Sequence, residues 1–120
     1  MIYNSRKNTE PYITRDGSLI RELMHPSVHA NQSQSLAEAT IAPGQQTATH
    51  RHLRSEEIYY IQRGAGKMFV GDENREVIVG DSIAIPAGTY HSILNTGNED
   101  LVVICACSPP YAHDDTEIHD

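Results

Sequence analysis

Residues 44–64 have the sequence GQQTATHRHLRSEEIYYIQRG, in which two histidines separated by a single residue are followed by two adjacent glutamates. On a β-strand, side chains two positions apart project from the same face. A strand here would therefore present His50 and His52 side by side, as two ligands of one ion must be. Imidazole suits divalent first-row transition metals, and a nearby carboxylate adds an anionic ligand. The segment predicts a metal site carried by strands.

The segment EEIYYIQ, residues 56–62, offers two adjacent glutamates as the carboxylate ligand. Strand alternation gives this segment two faces, one with Glu57, Tyr59 and Ile61 and the other with Glu56, Ile58 and Tyr60. A ligand carboxylate belongs inside the fold, which favours Glu57. The opposite face is also apolar enough to be buried, so alternation by itself leaves both glutamates open.

Short apolar runs recur along the chain, among them KMFV, EVIV, SIAIP, YHSILN and LVVICAC, and they are separated by Gly, Pro, Asn and Asp. Such spacing is typical of an antiparallel sandwich or barrel. GDEN, residues 71–74, predicts a hairpin loop between KMFV and REVIV. In NQSQSLAEATIAP a serine-capped helical turn is the alternative, but we favour a strand over AEATIA that ends at Pro43.

The chain is predicted to be one domain over residues 1–120, because this length supports one core and no linker marks a second. TRDGS predicts a turn before LIREL, and we expect this N-terminal region to add an outer strand to the sheet or to a partner subunit. Residues 109–120 begin with a double proline and end in an acidic stretch. They predict a tail or flap rather than core.

The charge balance argues against nucleic-acid and membrane partners. Nine Lys and Arg stand against sixteen Asp and Glu, which gives a formal net charge of −7. Nucleic-acid binding calls for clustered basic residues, and an anionic membrane surface attracts them too. No apolar run approaches the ~20 residues of a spanning helix, and the polar start MIYNSRKNTEPY is unlike a signal peptide. We expect a cytoplasmic protein that binds neither nucleic acid nor membrane.

Two cysteines, Cys105 and Cys107, lie in the apolar run LVVICACS. On a strand they share one face, and a disulfide between positions two apart would be strained. The pattern therefore favours buried core thiols over a redox pair.

A second segment, GDSIAIPAGTYHSILN at residues 80–95, adds a histidine and an asparagine at fixed distances from a glycine and a proline. Together the two segments resemble the signature motifs of the cupin superfamily, with motif 1 at residues 44–64 and motif 2 at residues 80–95. The matching positions of motif 2 are Gly80, Pro86, Gly88, His91 and Asn95. The resemblance implies an all-β fold over nearly the whole chain, the double-stranded β-helix or jelly-roll cupin barrel.

The resemblance implies a metal held inside the barrel by three histidines and one glutamate. The matching positions are His50, His52, Glu57 and His91, which selects Glu57 over its neighbour. The implied cofactor is one divalent first-row transition metal, with Mn or Fe favoured and Ni, Co or Zn possible, because four such ligands leave open positions on a six-coordinate ion. The other histidines have no partners at ligand spacing and are predicted to be solvated, although His113 could gate a barrel mouth. They are His25, His29, His113 and His119.

Strand alternation also predicts a largely apolar wall lining a substrate site. Its members are Tyr59, Ile61, Met68, Val70, Ile93, Cys105 and Cys107. Most basic residues are predicted to point outward or to lie in loops, which leaves Arg15 and Arg21 as candidates for a phosphate clamp. The chain is similar to the cupin part of mannose-6-phosphate isomerases, but the missing inward basic group weakens that specific assignment.

Three functions for a small-molecule substrate follow from these residues. The first is a metal-dependent, dioxygenase-like enzyme acting on a small carbonyl or enediol-type molecule. The second is a sugar or phosphosugar isomerase or epimerase, and the third is a non-catalytic small-molecule-binding barrel. We favour the enzyme. The family resemblance also implies a homodimer, which open sheet edges would support.

Overall fold

The computed structural model describes residues 1–119, and most of its regular structure is β-strand. The strands are β1 (Tyr12–Ile13), β2 (Leu19–Met24), β3 (Ser35–Ile41), β4 (His50–His52), β5 (Glu56–Arg63), β6 (Ala65–Val70), β7 (Glu73–Ile78), β8 (Ser82–Ile85), β9 (His91–Asn95), β10 (Leu101–Ser108) and β11 (Thr116–Ile118). A short helix, α1, spans Pro26–His29, and 3-10 turns span Arg6–Asn8 and His113–Asp115. None of the described helices has the length and apolar character needed to cross a membrane.

The strands form two antiparallel sheets that pack face to face as a jelly-roll barrel. The six-stranded sheet has the order β1-β2-β3-β10-β5-β8, and the five-stranded sheet has the order β11-β4-β9-β6-β7. Strands distant in sequence pair directly, as β3 does with β10 and β4 with β11. The predicted all-β barrel is confirmed.

Strand alternation places the core between the two sheets. In β5 the buried side chains are those of Glu57, Tyr59 and Ile61, and the residues between them are exposed, as predicted. Every second residue of β10 from Leu101 to Cys107 is buried in the same way. The largest side chains sealed in this core include Ile61, Met68, Ile85, Ile93 and Leu101.

The N-terminal region extends its own six-stranded sheet, since β2 pairs with β3 and β1 pairs with β2. The predicted turn lies at residues 15–17, and Ser35–Ile41 is a strand rather than a helical turn. Arg6 holds the chain start against the sheet through two nitrogens that contact the Glu38 carboxylate at 2.9 Å. Arg21 donates to the carbonyl of Thr9 and lies 3.9 Å from Glu38. Its guanidinium therefore faces away from the barrel interior.

The hairpin between β6 and β7 lies where GDEN predicts it. Val70 pairs with Glu73, so only Gly71 and Asp72 form the turn and the last two residues of the predicted loop belong to β7.

Two motif residues hold turns through specific contacts. Gly64 has a φ of +83°, and a Cβ at this position would lie 2.8 Å from the carbonyl oxygen of Asp100. No side chain fits there. The Asn95 amide donates to the carbonyls of Ile41 and Glu99 at 2.9 and 2.8 Å, so it ties the end of β9 to two loops.

The C-terminal segment differs from the predicted tail. Thr116–Ile118 form β11, an edge strand that pairs antiparallel with β4. Asp115 is buried, and its carboxylate accepts hydrogen bonds from the backbone N–H groups of Arg54 and Ser55. These long-range bonds make the segment part of the barrel although its sequence is acidic. Asp120, the end of the predicted tail, lies outside the described residues.

Candidate metal centre

Three strands bring the four predicted ligands together. β4 carries His50 and His52, β5 carries Glu57 and β9 carries His91, with His50 and His91 directly opposite in the pairing of β4 and β9. One ligand atom from each residue lies within 4.8 Å of the others, and all four residues are buried. The backbone N–H of Gly88 donates to the carbonyl of His52 at 2.7 Å, which joins the two motifs. The cluster can hold a single metal ion.

Two of the imidazoles are oriented through hydrogen bonds to carbonyl groups. The Nδ1 atom of His50 lies 2.8 Å from the carbonyl oxygen of Ala48, and that of His91 lies 3.0 Å from the carbonyl oxygen of Thr89. A carbonyl oxygen only accepts, so both Nδ1 atoms carry the proton and both Nε2 atoms keep a free lone pair. Metal-bound histidines are usually held in this way.

The third imidazole is oriented by a residue of β11. Nδ1 of His52 lies 3.0 Å from the hydroxyl of Thr116, and this hydroxyl donates to the carbonyl of Ala112 at 2.9 Å. Because the hydroxyl proton is already used, Thr116 accepts from Nδ1, and Nε2 of His52 also keeps a lone pair. The segment expected to be a tail therefore orients a candidate ligand.

The free lone pairs converge on Glu57. Its Oε1 lies 3.1 Å from Nε2 of His52 and 3.3 Å from Nε2 of His91. Glu57 Oε1 and His91 Nε2 are buried and have no hydrogen-bond partner among the described residues. Buried acceptors that face one another without a donor are unfavourable unless a cation lies between them. By this criterion the four residues fit a metal ion.

The electrostatics keep the site in a ligand-ready state. Burial acts to raise the pKa of Glu57, but hydrogen bonds and positive charge from His52 and His91, which these rings supply when they take up a proton at Nε2, outweigh burial and lower the pKa to about 2. The carboxylate is therefore ionised at neutral pH. Burial, together with repulsion from His91, lowers the pKa of His50 below 6.5. A neutral ring at pH 7 can serve as a ligand.

Cys107 donates a hydrogen bond to the second carboxylate oxygen of Glu57. Its Sγ lies 3.3 Å from Oε2, and burial raises the pKa of this thiol far above its ordinary range, so it stays protonated and donates. Cys105, on the same face of β10, reaches only the carbonyl of Val103, at 3.9 Å. Both cysteines are free and buried, as predicted. Cys107 additionally fixes the orientation of the carboxylate.

A cavity of about 50 Å³ reaches the cluster between the sheets. Its wall contains four of the predicted substrate-lining residues, which are Tyr59, Ile93, Cys105 and Cys107. The other three do not line this cavity: Ile61 and Met68 are buried elsewhere in the core, and Val70 packs against it. Alternation identifies the inward face of a strand, but it does not say how deep along the barrel a residue lies.

The N-terminal strands and the segment before β11 supply cavity residues that sequence reasoning missed. Among them are Tyr12, Thr14, Asp16, Glu22 and Tyr111. Arg15, one of the two clamp candidates, also lines the cavity, but its NH1 donates to the carbonyls of His113 and Thr116. TRDGS was recognisable only as a turn, and no periodicity marks Asp16 as an inward group.

The four remaining histidines lie outside the metal cluster. His113 and His119 are exposed, as predicted, and Nδ1 of His113 lies 2.9 Å from the hydroxyl of Tyr111. His25 and His29 are half-buried rather than solvated, because His29 Nδ1 accepts from the backbone N–H of His25. Nε2 of His25 lies 2.7 Å from the carbonyl oxygen of Tyr111.

Two relatives illustrate the sequence similarity. An uncharacterised protein of Methanocaldococcus jannaschii is 52% identical over 109 residues, which cover 91% of this chain and 87% of that protein. An oxalate-binding protein of Thermotoga maritima is 35% identical over 83 residues, which cover 69% of this chain and 64% of that protein.

Solved structures share the fold. Oxalate decarboxylase of Lactobacillus farciminis superposes with a TM-score of 0.81 at 24% identity, and the match covers 93% of this chain but only 34% of that enzyme. The nucleoside dehydratase Pac13 superposes with a TM-score of 0.80 at 15% identity and covers 99% of this chain and 92% of the dehydratase. At these identities the likeness concerns the fold alone.

The model of the cupin domain matches residues 37–107, which contain both sequence motifs and all four residues of the metal cluster. This match covers more than half of the chain and agrees with the barrel topology. The chain belongs to the cupin family.

Proposed function

We propose that this protein is a metal-dependent, dioxygenase-like enzyme that acts on a small carbonyl or enediol-type molecule. The observation that carries the proposal is the cluster of buried acceptors at the inner end of a cavity. His50, His52, Glu57 and His91 would hold one divalent first-row transition metal, with Mn or Fe favoured. The cavity gives a small molecule access to the same point.

When bound, such an ion would polarise a substrate oxygen or, if redox-active, activate dioxygen. The chain supplies orientation and exclusion of water. Hydrogen bonds at each Nδ1 hold the imidazoles in place. The apolar part of the wall, including Ile20, Ile41 and Val103, limits the access of water to the site. Burial raises the pKa of Tyr59 well above its ordinary value, so its phenol remains protonated beside His91.

The size of the cavity favours a small substrate. A cavity must offer about 10–15 Å³ to hold one water molecule, so the cavity of about 50 Å³ has room for a ligand of few heavy atoms. A nucleoside or a phosphosugar would require the cavity to widen. A phosphate would also call for a cationic clamp, whereas Arg15 is the single Arg or Lys that lines this cavity, and its NH1 is bonded to two carbonyls. These features favour a small oxygen compound over the isomerase alternative.

A non-catalytic binding barrel is the second candidate. The relative at 35% identity is named for binding oxalate, a small molecule with adjacent oxygen atoms. A site of this size and ligand set would suit such binding without turnover. The distinction requires a measurement of product.

Metal content tests the central claim. The purified protein should hold about one Fe, Mn, Co, Ni or Zn ion per chain. Glu57→Gln should weaken metal affinity by at least about tenfold, because it removes the anionic ligand. The matched control is Glu56→Gln on the exposed face of β5, which should leave affinity within about twofold. Equal effects at the two positions, or no metal in the unmodified protein, would contradict the proposed site.

Turnover separates the candidate functions. Oxygen uptake by the Fe- and Mn-loaded protein would be measured with diketones, enediols, hydroxyketones and oxalate. We expect consumption with an enediol or a hydroxyketone. Interconversion of phosphosugars without oxygen uptake would support the isomerase, and thermal stabilisation by oxalate without any product would support the binding barrel.

A further inference from the structure

Asp16 is a cavity carboxylate with one oxygen anchored and one oxygen free. Its Oδ1 accepts hydrogen bonds from the backbone N–H and the hydroxyl of Ser18, at 2.9 and 2.6 Å. Its backbone carbonyl accepts from the N–H of Ala48 at 2.8 Å. The carbonyl of Ala48 accepts from Nδ1 of His50, so Ala48 ties the backbone of Asp16 to the ring of His50.

The free oxygen of Asp16 borders the metal centre. Oδ2 lies 3.8 Å from Nε2 of His50, the atom that carries the lone pair. The side chain is only 11% exposed and lines the cavity. Asp16 is not among the four residues whose ligand atoms lie within 4.8 Å of one another. Its carboxylate therefore stands beside the cluster, on the side of His50, without belonging to it.

We propose that Asp16 is a specificity residue whose Oδ2 accepts a hydrogen bond from a hydroxyl of the ligand held at the metal. The site then favours a neutral molecule with a hydroxyl next to a carbonyl, and it disfavours a dianion such as oxalate. This inference rests on the proposed metal site and deepens it by naming the substrate class.

The charges of the cavity support this choice. Besides the ligand Glu57, whose charge the metal ion would offset, Asp16 and Glu22 contribute carboxyl groups to the lining, against the single guanidinium of Arg15. An ionised carboxylate accepts hydrogen bonds and donates none. A ligand hydroxyl therefore matches Oδ2, whereas a second carboxylate placed beside Oδ2 would be repelled by it.

Ligand binding to the Co(II)-loaded protein tests the inference. Dissociation constants for hydroxyacetone and oxalate, two ligands of similar size, would be obtained from changes in the cobalt absorption spectrum. Asp16→Asn should weaken hydroxyacetone binding by about tenfold, as expected for loss of a charge-assisted hydrogen bond, and should tighten oxalate binding by a similar factor. Asp16→Ser keeps an acceptor for the N–H of Ser18 and provides a second variant if the first folds poorly.

A change at another cavity acid provides the matched comparison. Glu22→Gln should shift either constant by less than about threefold, because among the described residues it is Asp16 and Glu57, and not Glu22, that lie at ion-pair distance from the histidine ligands. Parallel shifts in D16N and E22Q would mean that only overall cavity charge matters, which overturns the inference. A loss of cobalt affinity in D16N as large as that in E57Q would make Asp16 a ligand and overturn it as well. An unmodified protein that binds no metal would refute the proposed function and this inference together.

Discussion

The thiol of Cys107 explains why one oxygen of Glu57 is available to an ion. Its hydrogen bond to Oε2 holds the carboxylate plane, and Oε1 is left facing His52 and His91. Without the thiol, Oε2 would be an unpartnered acceptor in a buried site, and rotation of the carboxylate would no longer be opposed. A residue that looked like ordinary core packing thus positions a candidate ligand.

Cys107→Ala should therefore weaken metal affinity by about tenfold, the effect of removing one buried hydrogen bond. Cys107→Ser keeps a donor and should restore affinity to near that of the unmodified protein. The measurement is a competition titration against a metal-binding dye, with Cys105→Ala as control on the same face of β10. Equal losses in C105A and C107A would point to packing instead of the hydrogen bond.

The pH dependence of the metal-free protein follows from His50 and Glu57. Because the pKa of His50 is lowered in the folded protein, this residue binds a proton near pH 6.5 in the unfolded chain but stays neutral in the folded protein at the same pH. The free energy of unfolding should thus decrease as pH falls below 6.5, by at most about 1.4 kcal/mol per pH unit from this residue. The pKa of Glu57 falls from 4.5 to about 2 on folding. Its contribution to the free energy of unfolding is therefore fully present above pH 4.5 and is lost as the pH falls towards 2.

Urea unfolding of the metal-free protein at pH 7.5, 6.5 and 5.5 would check this dependence. His50→Asn should flatten the profile between pH 6.5 and 5.5, while an exposed-site control, His119→Asn, should keep it. A profile with no slope in this interval would contradict a buried neutral His50.

Among the secondary-structure elements, β11 is the edge strand that lies next to the histidines of the candidate metal centre. It pairs with β4, and Thr116 at its start orients His52. Asp115, in the 3-10 turn directly before β11, adds hydrogen bonds to the loop between His52 and Glu57, so this loop is held by a residue far away in sequence. The edge strand and the turn before it therefore stabilise His52, which precedes Thr116 by 64 residues, and the loop that follows His52.

Asp115→Ala should lower the free energy of unfolding by about 2–4 kcal/mol, since it leaves the buried N–H groups of the loop without partners. Metal affinity should fall as well, because this loop sets the distance between the ligand atoms of His52 and Glu57. Urea unfolding and the dye titration measure the two effects. Asp114→Ala, an exposed change next to it, should cost less than about 0.5 kcal/mol.

The sequence predicts the elements that have a pattern of neighbouring residues, but not those that are held by contacts between residues far apart in the sequence. The alternation of β5 and the spacing of the motifs place Glu57 inside, and burial agrees. The sequence predicts a tail where β11 lies, because this strand is held by pairing with residues more than 60 positions earlier, which leaves no periodic pattern in the sequence. The sequence does not predict the place of Asp16 at the site for the same reason, since only the fold brings the turn between β1 and β2 beside His50.

The whole molecule leaves an apolar area on the outer face of its six-stranded sheet. Ile58 and Tyr60 of β5 are each 46% exposed, and Leu36 of β3 is 38% exposed. Ala106 of β10 lies in register between Leu36 and Ile58, so the area is continuous across three strands. Contiguous exposed apolar surface is typical of an interaction site, and the family resemblance favours a second copy of the chain.

We therefore expect a homodimer through this face. Light scattering after size exclusion should give a mass near twice 13.3 kDa. The double change Ile58→Glu and Tyr60→Lys should yield a monomer, because buried charges without partners oppose association. Ile78→Glu, at a residue 62% exposed in the other sheet, should leave the dimer intact. A monomeric unmodified protein, or equal effects of both changes, would contradict this interface.

The hydrogen bond between His52 and Thr116 also has a consequence for biosynthesis. The two residues are 64 positions apart, and translation at about 5–20 residues per second takes roughly 3–13 s to cover that distance. Until Thr116 has left the ribosome, His52 has no partner to orient its ring. A nascent chain that already displays both histidines of β4 is therefore an incomplete chelator. The complete cluster, with the ring of His52 held by Thr116, therefore exists only once the whole chain has been synthesised and folded.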